Sequence, residues 1–191
     1  MNAADLNALR RNSKQAKQIE NLLSALQTVW PVMNFVRVTE ATWATKNTIQ
    51  IGTKSAPLST STGPCRFSPV NYGKTKRPKF KILYGVADLA TAAYEAIICE
   101  RSDLDQVRAL TPSDHRTKCA VNVSTHAGQT LTLLDLTSGN AIRSGVPTDV
   151  IRYSNHTDGQ HFSEFIYHQM PYIDRFLYSS RFTKNTCVGI C

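Results

Sequence analysis

The sequence has no long hydrophobic run, and none of its apolar stretches approaches the roughly 20 residues that a membrane-spanning helix needs. Its first residues, MNAADLNALRRNSKQ, contain no apolar core followed by a small-residue cleavage site, so we expect no secretory signal. Hydrophobic residues make up 41% of the 191 and charged residues 19%, which excludes wholesale disorder. We therefore expect a soluble, basic protein of one ordinary domain, without a membrane partner.

Patterns for metal and disulfide sites are also missing. The five cysteines are an odd number and form no CxxC pair, which argues against a disulfide framework and a structural zinc site. The five histidines show no HExxH or paired spacing, and no glycine-rich phosphate loop of the Rossmann or Walker type is present. The sequence therefore predicts neither a bound metal ion nor a resident cofactor.

What the sequence does contain is an excess of positive charge, +8 from 22 Lys and Arg against 14 Asp and Glu. The densest basic cluster is the loop GKTKRPKFK, in which five of nine residues from 73 to 81 are Lys or Arg. It lacks the interleaved aromatic residues of a single-strand-binding groove, and no helix-turn-helix or zinc-finger pattern accompanies it. A solvated loop, an anion site and a surface for an acidic protein all fit this cluster. A basic nucleic-acid-binding protein that uses the Lys74–Lys81 loop is therefore kept as an alternative function.

Hydrophobic periodicity predicts strands that outnumber the helices. The apolar spacing from residue 3 to about 30 predicts one amphipathic helix, which Pro31 would end. Further helices are predicted to begin at Asp88, near Pro147 and at Gln160. Strands are predicted at 34–38, 49–51, 80–86, 119–124, 130–135, 176–179 and 187–190. Because strands and helices do not alternate regularly, the fold class indicated is α+β.

Two charged residues stand out as candidates for chemistry. Arg66 is at the centre of the turn-rich segment GPCRFSP, residues 63–69. Glu95 follows Tyr84, the end of a buried strand, by eleven residues and lies in an alanine-rich helix. A carboxylate among small apolar residues needs a partner or a ligand if it is buried, and needs neither if that helix face is exposed.

These residues, taken in order, resemble the RES domain family, which is named for its Arg, Glu and Ser. The resemblance rests on CRFS at 65–68, ILY at 82–84, AAYE at 92–95 and FLYSSRF at 176–182, and it spans about residues 36–190. Gly63 is displaced from the family's usual glycines, and Phe67 stands where many members have Trp or Tyr. Ser180 aligns best with the family's serine, although the adjacent Ser179 is an alternative.

The resemblance implies an ADP-ribosyltransferase-like mixed β-sheet core over residues 34–191, preceded by a helical segment at 1–33. It also implies an NAD+-degrading toxin that breaks the bond between nicotinamide and ribose. In that reaction Glu95 would stabilise the positive charge that develops on the sugar, and Arg66 would bind phosphate or ribose oxygens. Ser180 would orient the ribose or Glu95 as a third catalytic residue.

Three further residues are implied as binding residues for NAD+, which would be the substrate rather than a cofactor. Phe67 would stack on the ligand, and Tyr84 would stack on nicotinamide or form a hydrogen bond with the ligand. Arg37, in the first predicted strand, would be a second basic contact. The acceptor is left open between water and phosphate, and transfer of ADP-ribose to a macromolecule is a further alternative.

The resemblance also implies a protein partner. Toxins of this kind are paired with a neutralising protein, either a cognate antitoxin or an immunity protein. We expect the site of action to be the cytoplasm, either of the producing cell or of a target cell into which the protein is delivered as an effector. The N-terminal helical segment is a candidate for binding such a partner.

Overall fold

A computed structural model describes thirteen segments of the chain: residues 13–30, 34–41, 48–51, 65–70, 80, 82–98, 112, 116–125, 130–137, 139–146, 150, 156–180 and 183–190. Within these segments the strands are β1 (Gln27–Trp30), β2 (Asn34–Glu40), β3 (Thr48–Ile51), β4 (Leu83–Val86), β5 (Lys118–Thr125), β6 (Leu131–Asp135), β7 (Arg175–Ser179) and β8 (Thr186–Ile190). The helices are α1 (Ser13–Ser24), α2 (Leu89–Ala93), α3 (Gly139–Arg143) and α4 (His156–Gln169). Helix α2 continues directly as a π-helix over Tyr94–Ile98.

All eight described strands join one mixed sheet in the order β1-β6-β7-β8-β4-β2-β5-β3. The pairs β3–β5 and β6–β7 are parallel, and the other neighbouring pairs are antiparallel. The predicted α+β class is thereby confirmed, and each predicted strand corresponds to one of β2 to β8. Strand β8 lies between β7 and β4, so it connects the two halves of the sheet.

The N-terminal region departs from the prediction of a single helix that runs to residue 30. Helix α1 ends at Ser24, and residues Gln27–Trp30 form β1, which pairs antiparallel with β6. The β-branched Thr28 and Val29 favour a strand, and the open edge of β6 supplies its partner. Leu23 and Leu26 are buried in the main core, so the described part of this region shares both the sheet and the core with the rest of the chain.

Helix α2 begins as the sequence predicts. Asp88 is its N-cap, in an extended conformation, and its carboxylate accepts a hydrogen bond from Thr91 N at 2.8 Å. Helix α3 was not predicted from the sequence, and the helix predicted to open at Pro147 begins outside the described residues. Within the described segments, no helix has the length and apolar character needed to cross a membrane.

The sheet separates two layers of buried side chains, and the alternation along β7 shows how it does so. Phe176 and Tyr178 belong to the larger core, whereas Leu177 belongs to the smaller core on the other face. Helices α1 and α4 contribute to the larger core through residues such as Leu23 and Phe162. Ser180 follows Tyr178 by two residues.

Candidate active site

Arg66 lies in a tight turn that Ser68 closes. The backbone N–H of Ser68 and its hydroxyl both donate to Cys65 O, at 3.2 and 2.9 Å, and Ser68 Oγ accepts from Cys65 N at 3.1 Å. Ser68 is 1% exposed, so these bonds are shielded from water. The short hydroxyl side chain thus satisfies backbone groups of Cys65 and fixes the conformation of Arg66 and Phe67, the two residues between Cys65 and Ser68.

Gly159, in the first turns of α4, allows that helix to touch the Arg66 turn directly. A Cβ atom placed on Gly159 would lie 2.5 Å from Arg66 O and 2.7 Å from Arg66 Cγ. No other residue type fits at that distance, because the clash is with backbone as well as with the side chain. The approach of α4 therefore fixes where the Arg66 backbone lies.

Two polar residues of α4 strengthen this contact. Gln160 Nε2 donates to Cys65 O at 3.1 Å and to Ser68 Oγ at 3.3 Å. One turn further along, the buried Glu164 accepts a hydrogen bond from Val70 N at 3.0 Å through Oε1. Helix α4 therefore holds both the turn and the residues after it, a role that the sequence pattern of α4 did not indicate.

On its interior side, the turn contacts Tyr84 of β4 and directs the ring of Phe67 into the core. The Tyr84 hydroxyl accepts a hydrogen bond from Phe67 N at 3.1 Å. Burial raises the pKa of Tyr84 well above its ordinary value, so the phenol stays protonated. The Phe67 ring is fully buried and packs on Phe176 and Tyr178, with ring centroids 4.7 and 5.2 Å away. The structure thus places Phe67 in the core, where its ring has no surface for stacking on a ligand.

Glu95 and Ser180 meet directly although 85 positions separate them in the sequence. Ser180 Oγ donates a hydrogen bond to Glu95 Oε1 at 2.6 Å, and Ser180 is 2% exposed. The short distance is typical of a hydroxyl bonded to a carboxylate. Glu95 belongs to the π-helix, a deviation from α-helical winding that is frequent at functional sites. Of the two adjacent serines, Ser180 is the one that the structure brings to Glu95.

Tyr178 and Cys187 lie near both Arg66 and Glu95. The guanidinium carbon of Arg66 lies 5.8 Å from the centre of the Tyr178 ring. Burial raises the pKa of Tyr178, and nearby Cys187 and Glu95 raise it further, whereas Arg66 lowers it. Burial and then Glu95 raise the pKa of Cys187 to about 12, again with Arg66 opposing. Both charges therefore act on the same two side chains.

The site formed by Arg66, Glu95, Ser180 and Tyr178 is thus assembled from three distant parts of the chain. The sequence indicated the first three residues and missed Tyr178. The signal for Tyr178 was its position two residues before Ser180 on a strand, since such residues share a face of the sheet. The arrangement offers a fixed carboxylate and a fixed guanidinium, which suits a ligand that is anionic at one end and develops positive charge at the other.

Arg37 lies next to Tyr84 rather than at the Glu95–Ser180 pair. Its Nη1 donates to Tyr84 O at 3.4 Å, a long hydrogen bond, and its buried Nε has no hydrogen-bond partner among the described residues. Burial lowers the pKa of Arg37, and the nearby Cys65 and Tyr84 partly oppose this. The structure therefore brings Arg37 to the interior side of the Arg66 turn, and its contact with NAD+ stays a prediction.

The described segments contain no group of three or more His, Cys, Asp or Glu residues that could hold a metal ion. The three described cysteines, Cys65, Cys119 and Cys187, are free thiols. The Lys74–Lys81 loop lies outside the described residues apart from Phe80, so its relation to Arg66 stays a prediction.

The chain is similar to known proteins both in its sequence and in its fold. A sequence model of the RES domain matches residues 36–191, from within β2 through β8. Among solved structures, the chain is similar to a chain in the crystal structure of the M. tuberculosis MbcT–MbcA toxin–antitoxin complex, with a TM-score of 0.54 and 13% sequence identity. That similarity covers 90% of this chain and 80% of the other, and at this identity it concerns the fold. No curated protein matches the chain significantly.

Proposed function

Because the chain belongs to the RES domain family, we propose that it is a toxin that degrades NAD+ by cleaving the bond between nicotinamide and ribose. The observation that carries this proposal is the 2.6 Å hydrogen bond from Ser180 to Glu95, in a site that also contains Arg66. The family match confirms the resemblance found in the sequence, and the likeness to a chain of a toxin–antitoxin complex supports the toxin assignment.

The proposed chemistry uses each charge in a separate role. When the bond breaks, its electron pair leaves with nicotinamide, and the ribose carbon becomes an oxocarbenium-like cation. Glu95 stabilises that cation, because a carboxylate fixed in advance needs no reorganisation at the moment of reaction. Ser180 occupies one carboxylate oxygen and holds its direction, so we assign the other oxygen to the ribose.

Arg66 would bind the anionic part of the same ligand. A guanidinium offers several directed donors to phosphate oxygens, and its packing on Tyr178 and the support from α4 limit its freedom. In this proposal water or phosphate then attacks the ribose carbon, giving hydrolysis or phosphorolysis of NAD+. NAD+ is the substrate, and no resident cofactor is required.

We extend the proposal to partner and location. By analogy with the toxin–antitoxin complex, a cognate antitoxin or immunity protein would hold the activity in check. The activity would be exerted in the cytoplasm, where the NAD+ pool is, whether the toxin is made there or delivered as an effector. Expression of the wild-type chain in a bacterial host should then deplete NAD+ and stop growth, and a Glu95→Gln variant should do neither.

The decisive experiment incubates the purified protein with NAD+, with and without inorganic phosphate, and measures free nicotinamide by chromatography. We expect release by the wild type and a loss of at least about a hundredfold in Glu95→Gln, since one electrostatic stabiliser is typically worth that much. Glu20→Gln, the same change on helix α1, is the matched control and should keep full activity.

The products distinguish the remaining alternatives. Free ADP-ribose indicates hydrolysis, a phosphorylated ADP-ribose indicates phosphorolysis, and a protein or nucleic acid that carries ADP-ribose indicates transfer to a macromolecule. If NAD+ stays intact with the wild type under both conditions, the proposed function is wrong.

A further inference from the structure

The segment between β7 and β8 carries Ser180 and is closed by its own backbone. Ser180 N donates to Asn185 O at 2.8 Å, and Lys184 N donates to Ser180 O at 3.0 Å. Lys184 has a φ of 59°, in the left-handed region, which turns the chain back toward β8. Thr183 N also approaches Ser180 Oγ at 3.4 Å. Ser180 and residues 183–185 therefore form one unit.

Four side chains, which we call the hydroxyl clamp, connect this unit to the start of α2. The clamp consists of Asp88 and Thr91 from the helix and Thr183 and Asn185 from the turn. Thr91 Oγ1 lies 2.8 Å from Asp88 Oδ2, 2.9 Å from Thr183 Oγ1 and 3.1 Å from Asn185 Nδ2. Asn185 Nδ2 also donates to Asp88 Oδ2 at 2.8 Å. Thr91 is fully buried, so its hydroxyl is the centre of the clamp.

The donor and acceptor groups of the clamp fix the direction of each of its hydrogen bonds. An ionised carboxylate only accepts, so the Thr91 hydroxyl proton points to Asp88. The Thr183 hydroxyl must then donate to Thr91, and its own oxygen accepts from Asn185 N at 3.3 Å. The chain of bonds thus runs from the Asn185 backbone through two hydroxyls to Asp88. Such a chain is cooperative, since each bond polarises the next.

The clamp and the Ser180–Glu95 hydrogen bond join the same two segments at neighbouring points. Glu95 follows Thr91 by four residues, across the change from α2 to the π-helix, and both side chains reach the turn, since Glu95 accepts from Ser180 and Thr91 bonds Thr183. Ser180 precedes Thr183 by three residues in the closed turn. The Thr91–Thr183 hydrogen bond therefore joins the helix and the turn close to the Ser180–Glu95 hydrogen bond.

We propose that the hydroxyl clamp, centred on Thr91 and Thr183, positions Ser180 on Glu95, and that these two threonines are positioning residues for the reaction. They do not touch the substrate. This inference rests on the proposed NAD+ cleavage for its kinetic consequence, but its structural part does not. Loss of the clamp should lower turnover without weakening substrate binding, because the Ser180–Glu95 geometry is needed when charge develops.

The test compares Thr91→Val, which replaces the hydroxyl with a methyl group of similar size, with Thr91→Ser, which keeps the hydroxyl. We expect kcat for nicotinamide release to fall about tenfold in Thr91→Val with KM changed by less than about twofold, and to recover in Thr91→Ser. Thr28→Val, the same change in β1 and separated from β7 by β6, is the matched control and should leave both constants unchanged. Thr183→Val, on the turn, gives an independent second variant if Thr91→Val does not fold.

A double-mutant cycle with Ser180→Ala shows whether the clamp acts through that serine. In the Ser180→Ala background, Thr91→Val should cause no further loss of kcat. The inference is overturned if folded Thr91→Val and Thr183→Val both keep kcat within about twofold of the wild type. It is also overturned if the losses from Thr91→Val and Ser180→Ala simply multiply.

Failure of the proposed function can be told apart from failure of this inference. If the wild type does not cleave NAD+, the proposed function fails and the same cycle is measured by urea unfolding. Coupling between Thr91→Val and Ser180→Ala in the free energy of unfolding would then support the clamp, and additivity would overturn it.

Discussion

Replacing Gly159 by alanine tests whether helix α4 sets the position of Arg66. The new Cβ would lie 2.5 Å from Arg66 O, whereas Cβ atoms in proteins essentially never come within 3.0 Å of such an atom. Turn and helix must therefore separate by at least about 0.5 Å. The atom in the way belongs to the backbone, so a side-chain rotation does not relieve the clash.

The cost follows from two opposing terms. Overpacking a tight contact costs about 1–3 kcal/mol, and alanine regains about 1 kcal/mol over glycine within a helix. We therefore expect Gly159→Ala to lower the free energy of unfolding by up to about 2 kcal/mol. Because a displacement of about 1 Å costs about a hundredfold in rate, the shift of Arg66 should lower kcat for the proposed NAD+ cleavage by about tenfold or more.

Gly139→Ala is the matched control, since a Cβ at this position of α3 meets no atom within 4 Å. It should leave activity unchanged and raise the free energy of unfolding by up to about 1 kcal/mol. Urea unfolding followed by circular dichroism gives the stabilities, and nicotinamide release gives the activities. Helix α4 does not set the position of Arg66 if Gly159→Ala is stabilised as much as Gly139→Ala and keeps wild-type kcat.

Three further predictions concern other parts of the molecule. Because burial raises the pKa of Cys187 to about 12, iodoacetamide at pH 8 should leave this thiol unmodified in the native protein and modify it in urea. Peptide mass spectrometry measures the labelling, and labelling of the native protein equal to that in urea would contradict the prediction. Hydrogen bonds from Thr91 N first, and then from Thr91 Oγ1, lower the pKa of Asp88. At pH values above the ordinary Asp pKa, the wild type should therefore unfold at a higher urea concentration than Asp88→Asn. This difference in urea midpoint should close as the pH falls through the lowered pKa, and a difference that does not change with pH would contradict the prediction. Phe67→Ala should lower the free energy of unfolding by about 3–5 kcal/mol in urea, since it empties a fully buried position; a loss below about 1 kcal/mol would contradict the packing role.

Strands β2 to β8 were predictable because apolar runs mark them in the sequence. Strands β5 and β6 match their sequence patterns within one residue at either end. The start of α2 was equally clear, because Asp88 has the short acceptor side chain that caps a helix. These signals are local, and local signals can be read from one sequence.

Strand β1 shows what a single sequence does not contain. The spacing of Leu22, Leu23, Leu26 and Val29 suits a helix as well as the observed helix, turn and strand. The choice depends on the free edge of β6, which belongs to residues about a hundred positions away. Tertiary pairing therefore overrides local periodicity at this point.

The candidate site also combines residues that the sequence indicated with contacts that it did not. Arg66, Glu95 and Ser180 were found because the family's motifs include them. Phe67 was expected to stack on the ligand because it stands where many family members have Trp or Tyr, but in the structure its ring is buried in the core. The supports from Gly159 and from the hydroxyl clamp come from contacts between distant segments, which carry no mark in the local sequence.

The position of β8 has a consequence for the order in which the molecule is built. A ribosome releases residues 186–190 after every other described strand, yet β8 pairs with both β4 and β7 in the middle of the sheet. A nascent chain that has emerged only to residue 180 already contains Arg66, Glu95 and Ser180, but it lacks the described strand that pairs with both β4 and β7. The turn that fixes Ser180 also needs Asn185 to close. We therefore expect the candidate site to be complete only when synthesis has passed β8, and fragments that stop short of β8 to carry the three side chains without the arrangement described above.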